Sequence, residues 1–526
     1  MSTGKVKKGS LVGSAGTVSG ATACSRVLGL IREQVMAYFF GAGMATDAFV
    51  TAFRIPNLLR DMFAEGALSS AFVPVFKSKL VKESEEEAFR LANNVLAVLL
   101  LVVGLIVLLG IVAAPIFVYL FANGFTAIPQ KFALTVNLTR IMFVYLLLVS
   151  ISAMIMGMLN SFGRFGIPAL SPALFNIGVV VTVAALFQYF NQPVYTLAIG
   201  VLVGGLGQVA VQLPSLLRIG YRFRPRINFL DEGFKKVVRL IAPMIVGLSA
   251  GRVNIMLGTL LASFLLEGSI SYLNYSYRLM HFPLGVFAVA LGTVALPRVS
   301  EMVARKDMTQ LSKTYLETIN LNMLVVVPSA VFLALMGREI VSLIYQWGVF
   351  SELNSYRTSQ ALLHYSYGLV GFAAVRVTVP FFYAFGDSRL PMKIAILAVT
   401  INMLLYYPMI QVLDFAGVAA ATSISGLVNF VVLIAYLPSK GVVIPWGKLG
   451  LNMSRIVLAS LLAFYIALLI PYRLTYDLPV VVDRLLRLFI PAAAAALLYL
   501  FFCFLFRVQE VEKLKKFIRR KQPSGE

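Results

Sequence analysis

Apolar runs long enough to cross a bilayer recur fourteen times along this chain, each bounded by charge, proline or glycine. Their approximate limits are 11–40, 45–76, 88–121, 132–159, 168–190, 194–218, 237–265, 270–300, 314–336, 358–385, 391–413, 416–437, 449–471 and 485–507. A helix needs about 20 apolar residues to span the hydrocarbon layer. In lipid every backbone polar group must be bonded within its own segment or a closed barrel, so runs of this length predict helices. Several runs exceed the bilayer and must tilt or project beyond it. The second, 45–76, is the least typical, with five charged residues and Pro56. Composition agrees: 59% of the 526 residues are apolar and 13% are charged, against about 45–50% and about 25% in soluble chains. An ordinary soluble enzyme and a disordered chain are both excluded.

The net charge of +22 points to cytoplasmic loops rather than nucleic acid, because basic residues accumulate on the inner side of membrane proteins. With the N-terminus inside, the cytoplasmic segments hold 30 Lys and Arg. The outer loops hold five, namely Lys131, Arg357, Arg473, Arg484 and Arg487. This asymmetry supports the span count and puts both termini in the cytoplasm. Residues 1–10 read as a retained basic tail rather than a signal peptide. Cys24 and Cys503 lie far apart in apolar runs, and His281 and His364 lack ligand spacing, so no disulfide framework or metal site is expected.

An internal repeat is also present. Phe162-Gly163, four residues, then Pro168 recurs as Phe385-Gly386, four residues, then Pro391, an offset of 223. Pro74 recurs as Pro297, and Leu213-Pro214-Ser215 as Leu437-Pro438-Ser439. The matches divide the chain into spans 1–6 and 7–12, with spans 13–14 appended. Six spans per unit gives both halves the same orientation, an architecture of transporters whose substrate site lies between the halves. The predicted class is an all-α polytopic membrane protein with 14 transmembrane helices in two parallel six-helix lobes around a central cavity, plus two C-terminal helices. The expected divisions are 1–226, 227–440, 441–507 for the extra helices, and a basic tail over 508–526.

Charges inside spans are costly and face a cavity or a partner. They concentrate in the first two spans: Arg26, Arg32 and Glu33, then Asp47, Arg54, Arg60, Asp61 and Glu65. Seven-residue spacing puts Arg26 and Glu33 on one face, and Asp47, Arg54 and Asp61 on another, with Glu65 nearby. Arg278 in span 8 stands 224 positions after Arg54, so each half offers an arginine from its second span. Arginine stays charged when desolvated, and its planar fork donates two parallel bonds to phosphate, so the cluster implies an anionic substrate. The acids can pair with the arginines when the site is empty. The competing reading is a set of intramembrane salt bridges that hold helices in register. Arg252 and Arg376 are isolated in their spans. Pro56, Pro74, Pro283 and Pro297 are candidate bends in spans 2 and 8. No phosphate-binding loop or catalytic set can be assembled, so neither an ATP motor nor an enzyme is expected. Spans 13 and 14 lack the arginines and offer either packing filler or a groove for a lipid tail.

These residues resemble the bacterial lipid II flippase family MurJ (MviN). The resemblance rests on Ser25-Arg26-Val27-Leu28-Gly29, Arg32-Glu33, Phe40 to Phe49, Arg54-Ile55-Pro56-Asn57-Leu58-Leu59-Arg60 and Phe63 to Ser69. Arg278-Leu279-Met280 with Phe282-Pro283-Leu284-Gly285-Val286, and Gly386-Asp387 with Pro391 and Lys393, extend it. It covers nearly the whole chain, and the C-terminal pair matches only in character.

The resemblance implies a member of the multidrug/oligosaccharidyl-lipid/polysaccharide exporter superfamily. Such a protein moves lipid II, the undecaprenyl-diphosphate-linked peptidoglycan precursor, to the periplasmic leaflet of the bacterial inner membrane. It implies that Arg26, Arg32, Arg60 and Arg278 bind substrate, with Ser25 and Asn57 from the same motifs. Glu33, Asp47 and Glu65 become the functional or gating acids. The diphosphate is then expected to bridge Arg26, Arg32 and Arg278, and neutralising them permits closure and alternating access. No cofactor is expected. The membrane potential is a candidate driving force, worth about 2.3 kcal/mol per charge at about 100 mV. Some members hold sodium through acids on spans 7 and 11. Here those interiors offer Arg252 and Asn402 and no acid, which argues against a sodium-dependent cycle. Some members carry Asp before the span 8 arginine, where this chain has Tyr277. Membrane lipids and cell-wall synthesis or division proteins are the further partners expected, and nucleic acid is not. The alternatives are an exporter of another polyprenyl-linked oligosaccharide, or a scaffold that recruits cell-wall enzymes without transport.

Overall fold

The computed structural model describes residues 11–60, 67–285, 289–469 and 479–512. Every regular element among them is helical. The α-helices are α1 (Leu11–Phe40), α2 (Met44–Arg60), α3 (Ala67–Lys82), α4 (Glu85–Val112), α5 (Ala114–Phe121), α6 (Pro129–Ser161), α7 (Gly166–Leu186) and α8 (Tyr195–Leu217). There follow α9 (Glu232–Ala262), α10 (Ser269–Pro283), α11 (Val289–Ala304), α12 (Met308–Leu335), α13 (Gly337–Tyr345), α14 (Glu352–Ala384), α15 (Arg389–Leu413) and α16 (Ala416–Tyr436). The chain closes on α17 (Trp446–Leu469) and α18 (Val480–Leu505).

The second set of eight helices repeats the first one for one. Glu85 opens α4 and Met308 opens α12, 223 positions apart, and the other pairs keep this offset within two positions. The caps repeat too. Ser84 accepts from the Glu87 amide at the head of α4, and Asp307 accepts from the Gln310 amide at the head of α12. At the ends of α6 and α14, Gly163 (φ 75) and Gly386 (φ 72) take the left-handed conformation. Arg164 N then reaches back to Leu159 O at 2.9 Å, and Asp387 N to Phe382 O at 3.0 Å. This is the Schellman stop, which favours glycine because a side chain at positive φ meets its own backbone. It accounts for the recurring Phe-Gly pair.

Among the described residues, ten helices are long and apolar enough to cross a membrane: α4, α6, α7, α8, α12 and α14 to α18. The four remaining predicted spans fall on α1, α2–α3, α9 and α10–α11, the first two of each repeat. These carry most of the intramembrane charge. The predicted eighth span falls on α10 and α11, with 286–288 between them outside the described residues. One expectation about continuity changes. The predicted third span breaks at Ala113 into α4 and α5, and the short amphipathic α13 repeats α5 in the second half.

By packing, the chain forms two compact units that divide between Ile270 and Ser271. In the first, α7 and α8 approach so closely that a Cβ on Gly178 would lie 2.5 Å from the Gly204 Cα. Phe72, Phe76, Leu91, Met154, Met158 and Leu159 fill a core between α3, α4 and α6. Helix α9 opens the second repeat, yet packs in the first unit against α3, α4 and α5. The packing boundary therefore falls one helix after the repeat boundary in the 218–231 linker. In the second unit α14 contacts α12 and α16, α17 lies on α12, and α18 on α13. Arg484 fixes this last contact: its Nη1 donates to Ser342 O at 3.1 Å and Gln346 O at 2.5 Å, and its guanidinium lies over Trp347.

Candidate functional site

Helix α1 carries its charges on a partly enclosed face. Arg32 Nη2 donates to Glu33 Oε1 at 2.6 Å, with the two side chains 16% and 5% exposed. The Arg32 guanidinium also lies 5.6 Å from the ring centre of Phe175 on α7. Next to Phe175, Asn176 donates through Nδ2 to the Ser25 carbonyl at 3.2 Å, which fixes α1 against α7 at the level of the arginines. Ser25 itself is half-buried, and Arg26 is exposed with no ion pair among the described residues. A charge-assisted pair such as Arg32–Glu33 can open to accept a phosphate oxygen, whereas the exposed Arg26 is available directly.

Helix α2 divides its polar groups between two tasks. Towards its end, Asn57 and Arg60 are half-buried, and the Asn57 Oδ1 is enclosed without a hydrogen-bond partner among the described residues. Arg54 donates through Nη1 to Thr259 Oγ1 on α9 at 2.6 Å. Asp61 and Glu65, predicted as part of this face, lie outside the described residues.

At the head of α2 the groups form a closed knot. Asp47, 1% exposed, accepts from Lys131 Nζ at 2.8 Å and from the Gly268 amide at 2.9 Å. The Lys131 ammonium also sits 4.2 Å from the Phe125 ring centre. Glu267 Oε1 accepts from the Met44 amide at 2.7 Å, placing a carboxylate at the positive end of α2. The Gly124 amide donates to Ser263 Oγ at 3.0 Å. The 41–43 turn, the 122–128 turn and the 263–268 turn are thereby joined within the first unit. Lys131, counted above among outer-loop charges, is in fact enclosed at the head of α6.

In the second unit Arg278 is exposed on α10. His281, one turn on, lies within electrostatic range of both Arg278 and Arg376. The Tyr277 and His281 rings lie 4.1 Å apart, and Tyr365 on α14 meets Tyr277 edge-on at 5.6 Å. On α15, Asn402 is fully buried and donates through Nδ2 to the Tyr406 hydroxyl at 3.0 Å. The Arg252 side chain lies outside the description.

The structure pairs Arg32 with Glu33 and Asp47 with Lys131, and the contacts made by Lys131, Phe175, Asn176, Thr259 and Glu267 are not predicted by the sequence. For Glu267 a signal existed: it stands 223 positions after Met44, in the turn that repeats the α1–α2 turn. For the others, contact across helices distant in sequence leaves no local pattern.

Comparison with known proteins places this arrangement. A family model described as "Lipid II flippase MurJ" matches residues 36–486. A curated relative from Buchnera aphidicola (subsp. Schizaphis graminum), named probable lipid II flippase MurJ, is 32% identical over 91% of this chain and 93% of its own length. The lipid II flippase MurJ of Burkholderia cenocepacia is 33% identical over 85% and 88%. Among solved structures, a lipid II flippase MurJ in an inward closed conformation superposes with a TM-score of 0.78 at 25% identity, covering 93% of this chain and 98% of that one. An inward-facing multidrug MATE-family transporter matches at a TM-score of 0.61 and 13% identity, a likeness of fold.

Proposed function

Because this chain belongs to the lipid II flippase family MurJ, we propose that it carries lipid II from the cytoplasmic to the periplasmic leaflet of the bacterial inner membrane, with both termini cytoplasmic. It is a multi-pass membrane protein and a transporter rather than an enzyme. The observation that carries the reading is the match to this family over residues 36–486, which runs from the last turn of α1 into α18 and takes in α2 and α10.

The diphosphate is the part of such a substrate that resists the membrane, and arginine is the side chain that replaces its water. We assign it to Arg26, Arg32 and Arg60, with Ser25 and Asn57 as neutral donors and acceptors, and to Arg278 of the second unit. The Asn57 amide, whose Oδ1 is enclosed and has no hydrogen-bond partner among the described residues, has capacity for a ligand hydroxyl. Glu33 holds Arg32 when no substrate is present and releases it when the diphosphate arrives. Alternating access then exposes the head group on the far side. The Asp47 and Glu267 contacts close the far end of the first unit and are the bonds that outward opening must break. Glu65 is assigned to the same gating role from its motif. No cofactor is required. Charge movement in the membrane potential supplies drive, and the Asn402–Tyr406 pair offers no anionic ligand for sodium.

Complementation tests this reading. A bacterium depleted of its own lipid II flippase receives either this chain or an Arg26→Ala/Arg278→Ala version at equal abundance. Rescue by the unaltered chain alone supports both activity and site. Rescue by both versions keeps the activity and removes these two arginines from the site. Failure of a well-inserted unaltered chain shifts the substrate to another polyprenyl-linked oligosaccharide.

A further inference from the structure

The linker between α8 and α9 carries Arg218, Arg222, Arg224 and Arg226 interleaved with Phe223, Ile227, Phe229 and Leu230, and all eight side chains are exposed. None of the four arginines forms an ion pair among the described residues. Large apolar side chains and unpaired cations seldom share one exposed segment of chain unless a surface that is both charged and greasy receives them.

This segment is held in place by two adjacent asparagines of α4. Asn93 Oδ1 accepts from the Tyr221 hydroxyl at 2.8 Å and the Arg224 amide at 3.0 Å. Asn94 pairs with the backbone of Asn228 in both directions at 2.8 Å. Asn93 is 7% and Asn94 2% exposed, so these bonds are shielded from water. Burial pushes the Tyr221 phenol above its usual range, which keeps it a donor at any physiological pH.

The asparagines also set the depth of the segment. Directly after them comes Val95–Val112, which is free of charge and completes α4. At about 1.5 Å per residue it measures roughly 27 Å, close to the hydrocarbon thickness of about 30 Å. Before them come Glu85, Glu86, Glu87 and Arg90, which belong in water. The backbone at 224 and 228 is therefore tied to α4 at the level where that helix enters hydrocarbon. There the arginines meet phosphates, while the neighbouring phenylalanines, isoleucine and leucine meet acyl chains. At the α11–α12 corner, by contrast, Arg305 is already bridged to Glu301, and no large exposed apolar cluster accompanies it.

We infer that residues 218–230 form a rigid interfacial strap that binds the headgroups of anionic phospholipids. The binding uses phosphate–arginine contacts, with Phe223, Ile227, Phe229 and Leu230 inserted at the acyl boundary. It rests on the membrane-spanning fold alone and is independent of the substrate being moved.

The test uses the full chain in vesicles, with Phe223→Trp as reporter and the signal of Trp347 and Trp446 in the unaltered chain subtracted. Brominated phosphatidylglycerol is expected to quench the reporter roughly fivefold more than brominated phosphatidylcholine at equal mole fraction. The Arg222→Gln/Arg224→Gln/Arg226→Gln version should bring that ratio near one, and the corresponding Lys version should keep most of it. A charge-matched control, Arg298→Gln/Arg305→Gln/Lys306→Gln, should leave it unchanged. A ratio near one before any arginine is replaced overturns the inference, as does an equal loss in the control. No quenching by either lipid overturns the interfacial placement itself.

Discussion

The carboxylate of Asp47 on α2 and the ammonium of Lys131 on α6 meet at 2.8 Å with side chains only 2% and 5% exposed. Two charges withdrawn from water are tolerated only when their remaining bonding capacity is met. The Gly268 amide on Asp47 and the Phe125 ring beneath Lys131 meet part of it. The pair therefore determines which turns close over the head of α2, and its value lies in position more than in net stability.

Breaking one side of this pair should cost more than removing both. Asp47→Ala and Lys131→Met are each expected to lower stability by about 3–5 kcal/mol, because a buried charge is left uncompensated. The Asp47→Leu/Lys131→Met version should recover most of that loss. Thermal unfolding of the purified protein in detergent measures it, and losses that simply add in the double version contradict the ion pair as described.

Glu267 should protect the first turn of α2. Its carboxylate serves the Met44 amide at 2.7 Å, where the helix dipole also favours negative charge. Glu267→Ala is expected to speed hydrogen exchange at Met44 by about five- to tenfold, equivalent to about 1 kcal/mol. Exchange at the head of α4, capped independently by Ser84, should not change.

Much of this molecule can be read from its sequence where the cause is local. The end of α1 at Phe40 coincides with the end of the first apolar run, and the Phe-Gly repeat reflects a helix stop that depends on one glycine. The break at Ala113 is hidden from hydropathy because apolar residues continue through it and no charge marks the bend, and Pro115 in the first turn of α5 is its one local signal. Asp47 shares a helical face with Arg54 and Asp61 by spacing, yet its partner Lys131 comes from 84 positions downstream. Arg54 likewise reaches Thr259 on α9, a helix that belongs to the other repeat. Periodicity says which face a charge occupies. It does not say which distant helix that face meets.

Glycines in this fold should respond to substitution according to what they face. A Cβ on Gly178 would lie 2.5 Å from the Gly204 Cα, so neither backbone can yield cheaply. Gly178→Ala should destabilise by about 1–3 kcal/mol through overpacking of α7 on α8. Gly104 on α4 has nothing within 4 Å of its would-be Cβ, and Gly104→Ala should be neutral or mildly stabilising. Paired thermal unfolding measurements distinguish the two. Equal effects would contradict the close helix contact.

The loop before α15 should make stability depend on acid. Lys440 Nζ lies 2.7 Å from Asp387 Oδ2, and the Leu390 amide donates to the same carboxylate at 3.0 Å. The lysine bond, then the amide, hold the Asp387 carboxyl below its ordinary value. The folded chain therefore takes up this proton less readily than the unfolded chain. Its contribution is complete above the ordinary Asp value of about 3.9 and fades as pH falls through the lower folded value. Lys440→Met should lower the melting temperature near pH 6, and the difference from the unaltered chain should shrink as pH falls below the ordinary Asp value of about 3.9. A difference independent of pH would assign the effect to packing.

The Arg32–Glu33 pair gives the proposed transport cycle a measurable asymmetry. At 2.6 Å the two side chains are paired, so an incoming diphosphate must displace Glu33 before it gains the full strength of Arg32. Removing the acid should leave Arg32 unopposed. Glu33→Gln is then expected to bind a diphosphate-bearing lipid several-fold more tightly while flipping it more slowly, because the group that competes for the arginine at release is gone. Arg32→Gln should weaken binding and slow flipping together. Binding to the purified protein and flipping in vesicles separate the two outcomes. If Glu33→Gln instead weakens binding as much as Arg32→Gln does, Glu33 acts by holding α1 in place, and the exchange of partners at Arg32 is not part of the cycle.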